Sequence, residues 1–408
     1  MTKTAAPVSL AILLPVLASI MAVSPLAIDL YLPAMPVIAA ELSTDMSMVQ
    51  NSLSIYLVGY ALGLLFFGPL ADKYPRRYLV LTGLIGFIGF TFLLLLCKSI
   101  ESFLAVRMAQ AFVSSAATVV VPGTIREYYG KDTAKGLSYV SMIMMVAPMI
   151  APAIGSVFLT IHSWQAIFIG LAAYTCIVVA MVAKVLPNST QLSRQQVSFL
   201  GRYKIVLGHK GARLDLISSM MISLAFFAYI TAIPFVYLTV FKVNEFWFSV
   251  LFAINVLALM TAHFINSRLV VRKGSRRMLQ FGLMVSIVSS SALLLVNMLA
   301  LPLAYTVAAV LPLMGSISMV AVNADALILQ EFAKQSGTAT AVIGVLRFGV
   351  GGLAGPILAL AYDGTALPFS ALMWCSVIVV VICQLPHFIG AKHKHNNKQL
   401  TDTHGDVS

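Results

Sequence analysis

Charged side chains are scarce in this sequence. Only 10% of its 408 residues are charged, whereas 60% are hydrophobic. A soluble protein carries about a quarter charged residues, so this chain has too few to cover its surface in water. The sequence also lacks a GxxxxGK[ST] phosphate-binding loop, an HExxH pair and a CxxC pair. These absences argue against an ATP-driven pump and against a metalloenzyme, and no catalytic constellation or cofactor site is expected.

The positive charge of the chain is confined to short segments between long apolar runs. The formal net charge is +12, which on its own would suit a nucleic-acid partner. Lys and Arg instead follow the distribution of the cytoplasmic loops of a membrane protein. We therefore expect the lipid bilayer, and no nucleic acid, as the partner of these charges.

The long apolar runs predict twelve membrane spans. About 20 apolar residues are needed to cross the hydrocarbon core. Runs of that length lie near residues 9–36, 48–71, 77–97, 102–126, 137–160, 164–186, 214–240, 247–269, 278–298, 302–328, 338–361 and 367–390. Backbone groups in lipid must be paired within the segment, so the predicted fold class is an all-α membrane protein. The predicted domains are a six-helix half (1–186), a cytoplasmic linker (187–213), a second six-helix half (214–391) and a disordered cytoplasmic tail (392–408).

The basic residues also predict the orientation. If the N-terminus is cytoplasmic, the outer loops contain only Lys98 and Lys242, which places both termini and the linker in the cytoplasm. The two halves resemble each other: GPLADKYPRR follows span two and RLVVRKGSRR follows span eight. Duplicated six-helix units are common in secondary transporters, with the substrate site between the halves.

Several stretches resemble the major facilitator superfamily. GPLADKYPRR looks like its signature loop, and FLAVRMAQAF is similar to its fourth-span motif, with Arg107 at the arginine position. APMIAPAIG resembles the fifth-span motif of drug/proton antiporters, while DLYLPAMPVIAAEL and SWQAIF resemble the Bcr/CflA drug-resistance branch. Pro75, Ala111 and Ser156 depart from these motifs, each standing where Gly is usual. The resemblance implies a multidrug efflux transporter in a Gram-negative inner membrane. It would be driven by a proton gradient without a cofactor, and we expect it to act as a monomer.

Asp29 and Arg107 are the candidate proton-coupling residues. A charge inside a span costs a few kcal/mol or more, so an intramembrane acid such as Asp29 is a functional candidate. Loss of water favours the protonated form of a carboxyl group, which suits proton uptake and release; a solvated or local capping role is the alternative. The resemblance implies that Arg107 lines the cavity and takes part in coupling. It can equally hold spans one and four together.

Arg347 is a further charge, near mid-depth of the eleventh span. No acid lies one helical turn away, so we expect it to face a cavity or a partner on another helix, and to line the substrate pathway. Asp325 is expected to form an interfacial ion pair near Glu331 and Lys334, with a second proton site as the alternative. Other pathway candidates have aromatic, amide or thioether side chains that suit loosely specific binding, with plain packing as the alternative. They are Tyr31, Asn51, Tyr56, Tyr60, Met142, Met145, Tyr229 and Tyr237.

A gate is predicted at the signature loop. Asp72 can face the positive N-terminal end of a neighbouring helix, and the resemblance implies that this is span eleven, from Ser336 to Thr338. Arg76 and Arg77 are more simply explained as topology signals. Gly and Pro in span five allow bending and close approach. The gating candidates are Gly68, Asp72, Arg76, Arg77, Pro148, Pro152 and Gly155.

The intramembrane charges bear on the substrate. If Asp29, Arg107 and Arg347 share one cavity, its fixed charge is not strongly negative, so a cation gains little there. We therefore expect a small neutral or zwitterionic drug-like substrate of the chloramphenicol or bicyclomycin type. The alternative is a proton-coupled transporter of a natural metabolite such as a nucleoside, sugar or amino acid.

Overall fold

The structure, a computed structural model, describes residues 10–71, 73–129, 133–161, 163–186, 199–209, 211–332 and 336–403. Throughout these ranges the regular secondary structure is helical. The first half contains α1 (Leu10–Asp29), α2 (Met35–Glu41), α3 (Met46–Ala71), α4 (Arg76–Leu94), α5 (Ile100–Thr118), α6 (Val120–Tyr129), α7 (Thr133–Ile161) and α8 (Trp164–Val185). A short α9 (Phe199–Gly208) follows. The second half contains α10 (Arg213–Pro234), α11 (Glu245–Lys273), α12 (Ser275–Met298), α13 (Leu303–Glu331), α14 (Ser336–Gly351), α15 (Ala354–Leu360) and α16 (Leu367–Thr403).

These helices supply the predicted spans. In the described part of the chain, eleven helical stretches are long and apolar enough to cross a membrane. The remaining span is α7, which contains a shorter apolar stretch over residues 146–160. Spans one, four and eleven each consist of two consecutive helices, and span seven ends in a π-helix, Phe235–Val240. The prediction of an all-helical membrane bundle is confirmed.

The first span is broken where Asp29 lies. Helix α1 ends at Asp29, and a 3-10 turn over Leu32–Ala34 leads into α2. Pro33 and Pro36 lack the backbone N–H that would close the helical ladder, so the carbonyls four residues earlier lose their usual donors. This break places irregular backbone inside the bundle, where such backbone is tolerated only against protein or a cavity.

Hydrogen bonds join the two halves at one end of the bundle. We call the end where α3, α6, α11 and α13 finish the basic end, and the other the opposite end. At the opposite end the Gly355 N–H donates to Ser54 Oγ (2.7 Å), joining α15 to α3. Ser156 Oγ on α7 lies 2.8 Å from Ser249 Oγ on α11 and donates to the Glu245 carbonyl (3.0 Å).

Two segments outside the spans contain more helix than the sequence predicted. Within the predicted linker 187–213, Val206 of α9 belongs to a buried apolar cluster with Ile328 and Phe332 of the second half, whereas residues 187–198 lie outside the described ranges. Helix α16 continues to Thr403, although a disordered tail was predicted from residue 392. Residues 391–403 contain neither Gly nor Pro, so nothing in their sequence breaks a helix.

Candidate functional site

Arg107 on α5 is completely buried between two tyrosine rings. Its guanidinium carbon lies 4.5 Å from the ring centroids of both Tyr31 and Tyr56. It donates to Gln110 Oε1 (2.8 Å) and to the Ala27 carbonyl of α1 (3.0 Å). A desolvated guanidinium over an aromatic face gains about 2 kcal/mol or more. The arginine thus joins spans one, two and four, and it has no carboxylate partner among the residues that the structure describes.

The tyrosines beside Arg107 are held in place by hydroxyl groups. Tyr31 Oη lies 2.8 Å from Ser52 Oγ, and Tyr56 Oη lies 2.9 Å from Ser24 Oγ. Buried hydroxyls in lipid-embedded protein must find such partners. Because these serines come from α1 and α3, both rings stay fixed on the arginine.

Asp29 lies in the chain break beside this arginine cluster. It is only 5% exposed, and its carboxylate makes no hydrogen bond or ion pair with a described residue. It lies two residues from both Ala27 and Tyr31, which contact Arg107. A buried carboxyl group without a protein partner is costly when ionised, so proton uptake relieves it.

Helix α7 packs directly against the backbone at this break. A Cβ atom at Gly155 would lie 1.9 Å from the Leu30 carbonyl oxygen and 3.2 Å from Pro33 Cγ. Only glycine allows this approach. Pro148 and Pro152 lie in the preceding turns of the same helix, in keeping with the close approach predicted for span five.

A second charged cluster lies in the other half. Arg347 on α14 pairs with Asp325 on α13, and Ser219 on α10 donates to Asp325 Oδ1 (2.7 Å). The side chains of Arg347 and Asp325 are 32% and 23% exposed, and Arg347 Nε is buried without a hydrogen-bond partner. The ion pair expected for Asp325 is therefore present, with Arg347 as its partner. Its partner lies across a helix interface, where spacing along one chain segment gives no signal.

Comparison with known proteins agrees with this architecture. The family model described as Major Facilitator Superfamily matches residues 17–356. The chain belongs to the major facilitator superfamily. It is 29% identical over 366 residues to the bicyclomycin resistance protein homolog of Haemophilus influenzae, covering 88% of this chain and 91% of that protein. It is 30% identical over 371 residues to the chloramphenicol resistance protein of Pseudomonas aeruginosa, covering 88% and 86%.

The likeness to a solved structure bears only on the fold. The crystal structure of a mutant form of the nucleoside transporter NupG superposes with a TM-score of 0.73 at 12% identity, covering 93% of this chain and 99% of that one. As a member of the major facilitator superfamily, this protein is a multi-pass membrane transporter and not an enzyme.

Of the remaining pathway candidates, Tyr60 lies between the two superfamily halves. Its hydroxyl is 2.7 Å from Thr118 Oγ1, and its ring centroid is 4.7 Å from that of Phe348 on α14. Asn51 also lies at this interface, beside Gly355, and its buried Oδ1 has no partner among the described residues. Both positions agree with a pathway between the halves.

The tyrosines of span seven are packed inside the second half. Tyr229 accepts a hydrogen bond from Asn255 Nδ2 (2.7 Å) and stacks on Phe252, while Tyr237 packs its ring against Phe248. Both are 1% exposed. In this conformation they are core residues. Two further candidates, Met142 and Met145, lie on α7, but their side chains are outside the described set.

The superfamily signature loop is held by contacts within the first half. Arg76 pairs with Glu127 of α6, and Arg77 donates to the Ala183 carbonyl at the end of α8. Gly68 has open space around it. Asp72 lies outside the described residues, so its predicted contact with α14 stays a prediction. The two arginines therefore have structural partners in addition to any role in topology.

The small polar partners of the buried groups were not predicted from the sequence. Gln110, Ser24, Ser52 and Asn255 all lie inside apolar runs. Each makes one of the buried hydrogen bonds described above. A polar residue within an otherwise apolar span was the available signal, since such a group needs a partner. This signal does not identify the partner of the polar residue.

Proposed function

We propose that this protein is a proton-coupled exporter of small neutral or zwitterionic drug-like compounds that works by alternating access. The observation that carries the proposal is Asp29, a buried carboxyl group without a protein partner among the described residues, in the break of span one. Relatives named for bicyclomycin and chloramphenicol resistance, at about 30% identity over most of the chain, support a drug substrate.

Asp29 and Arg107 divide the coupling between them. Asp29 takes up a proton in the outward-facing form and releases it in the inward-facing form, and substrate binding competes with protonation. Arg107 holds the broken span through the carbonyl of Ala27, two residues before the acid. Water that reaches the site in the inward-facing form solvates the ionised carboxylate of Asp29, which promotes release of the proton.

The balance of intramembrane charges favours a neutral or zwitterionic substrate. The intramembrane charges described here are Asp29, Arg107, Asp325 and Arg347, and they sum to zero. A dication gains no net attraction from such a set. Aromatic surface at Tyr60 and Phe348 suits compounds of varied shape.

The basic end is the cytoplasmic side in this proposal, with both termini in the cytoplasm of a bacterial inner membrane. The hydrogen bonds of Ser54 and Ser156 to the second half then close the outer side. This arrangement corresponds to a form that receives substrate from the cytoplasm. Export follows when the halves rock, open the outer side and close the inner side.

Inverted vesicles with an imposed pH gradient test the proposal. Addition of a neutral antibiotic should dissipate the gradient with the wild type and with Asp45→Asn, an exposed acid used as the control, but not with Asp29→Asn. A response to nucleosides, sugars or amino acids alone would instead favour the metabolite transporter. Equal activity of Asp29→Asn and the wild type would remove Asp29 as the coupling acid.

A further inference from the structure

The turn between α11 and α12 carries a group of cations at the basic end. Five basic residues lie in RLVVRKGSRR, from Arg268 to Arg277. Arg276 is neutralised, because its guanidinium forms a two-pronged pair with Asp215 (2.6 and 2.8 Å). Arg272, Lys273 and Arg277 are exposed and form no ion pair with a described residue.

The corresponding turn of the first half is different. There Arg76 has a carboxylate partner and Arg77 has a carbonyl partner, each within its own half. Charges that served only to set the topology could remain in the water-exposed loop. In the second half two of them, Lys273 and Arg277, instead line a cavity of about 300 Å³.

This cavity, which we call the basic pocket, has a polar rim and an apolar interior. It is lined by Leu269, Lys273, Arg277, Met278 and Phe281. Leu269 precedes Lys273 by four residues on α11, and Phe281 follows Arg277 by four residues on α12. At about 1.5 Å per residue, the apolar side chains lie roughly 6 Å farther along the spans than the charges.

The surface on the inner side of the basic pocket is apolar. Phe281 is 53% exposed, and Ile265, one helical turn before Leu269, is 43% exposed. Such exposed apolar side chains beside spans of this hydropathy are suited to contact with acyl chains. A ligand of the basic pocket must therefore be anionic at its outer end and apolar at its inner end.

We propose that the basic pocket binds the headgroup of an anionic phospholipid in the leaflet at the basic end. Lys273 and Arg277 contact the phosphate, and the first acyl carbons lie against Leu269 and Phe281. Basic pockets between spans on the cytoplasmic side are suited to anionic headgroups. The site lies within the second half and does not depend on the direction of transport or on the identity of the substrate.

Native mass spectrometry of the full-length protein, with phosphatidylglycerol titrated against phosphatidylcholine, tests the site. Lys273→Gln/Arg277→Gln should weaken retention of phosphatidylglycerol by about thirtyfold, since each lost cation costs about fivefold. The matched control is Lys184→Gln/Lys204→Gln, which removes two exposed positive charges at the same end but outside the pocket. The control should retain the lipid as the wild type does.

Two further measurements complete the test. Lys273→Arg/Arg277→Lys keeps both charges and should restore binding, which separates a lost site from a damaged fold. Glycerol phosphate, the soluble headgroup, should bind far more weakly than the lipid because it lacks the acyl contacts. Equal losses in the two glutamine variants, or equal binding of glycerol phosphate and lipid, would overturn the proposal.

Discussion

Gly355 controls how closely the two halves approach at the opposite end. An alanine Cβ at this position would lie 2.4 Å from Ser54 Oγ and 2.7 Å from Asn51 Oδ1. Overpacking of this kind costs about 1–3 kcal/mol, and the hydrogen bond from the Gly355 N–H to Ser54, worth about 1 kcal/mol, is weakened as well. The gain in helix propensity from Gly to Ala acts on both conformations and cancels.

The cost therefore falls on the conformation in which this end is closed. At a total of about 2 kcal/mol, Gly355→Ala should shift the equilibrium towards the form open at the opposite end by about thirtyfold. Spin labels at Lys98→Cys and Leu299→Cys report the change, because both residues are exposed at that end and lie in different halves. The four native cysteines are free and can be replaced first. Pulsed electron resonance should show a population at longer distance.

Gly349→Ala is the matched control, since a Cβ at Gly349 of α14 meets no atom within 4 Å. Its distance distribution should equal that of the wild type. If Gly355→Ala also gave the wild-type distribution, the packing of α15 on α3 would not be what holds this end closed, and the reasoning would fail.

Two other predictions concern the charged clusters. Asp325→Asn leaves Arg347 partly buried without an anion and should lower the stability by about 1–3 kcal/mol in thermal unfolding. The exchange Asp325→Arg/Arg347→Asp should recover part of this lost stability. An unchanged melting temperature in the single variant would contradict the pairing. Arg107→Lys keeps the charge but loses the planar contact with Tyr31 and the paired hydrogen bonds. In the same thermal unfolding experiment we expect the free energy of unfolding to fall by about 2 kcal/mol. Arg268→Lys, at an exposed arginine, should have little effect, and equal effects of the two changes would argue against a specific arginine cluster.

The sequence was sufficient for the fold because lipid leaves few choices. Long apolar runs must become helices, so the spans followed from run length. The burial of Asp29 and Arg107 was also predictable, because both stood alone inside apolar runs. Their surroundings were not, since Tyr31 and Tyr56 meet Arg107 from different spans.

The sequence did not show how the helices lie beside each other. Arg347 was predicted to face a cavity or a partner on another helix, but nothing in the pattern distinguished Asp325 from other acids. Tyr229 and Tyr237 were predicted to line the pathway on residue type alone; both are buried in this conformation, and their role stays a prediction. Side-chain chemistry indicates what a residue can do, whereas helix rotation decides what it touches.

Two consecutive residues of α7 contact the broken span beside Asp29 and the junction with the second half. Gly155 lies against the Leu30 carbonyl, one residue from Asp29, and Ser156 bonds to Ser249 of the other half. A shift of the backbone at the acid therefore displaces α7 where it joins the second half. Because Gly155 packs directly on the Leu30 carbonyl, the proton site and the junction between the halves are coupled through one turn of α7.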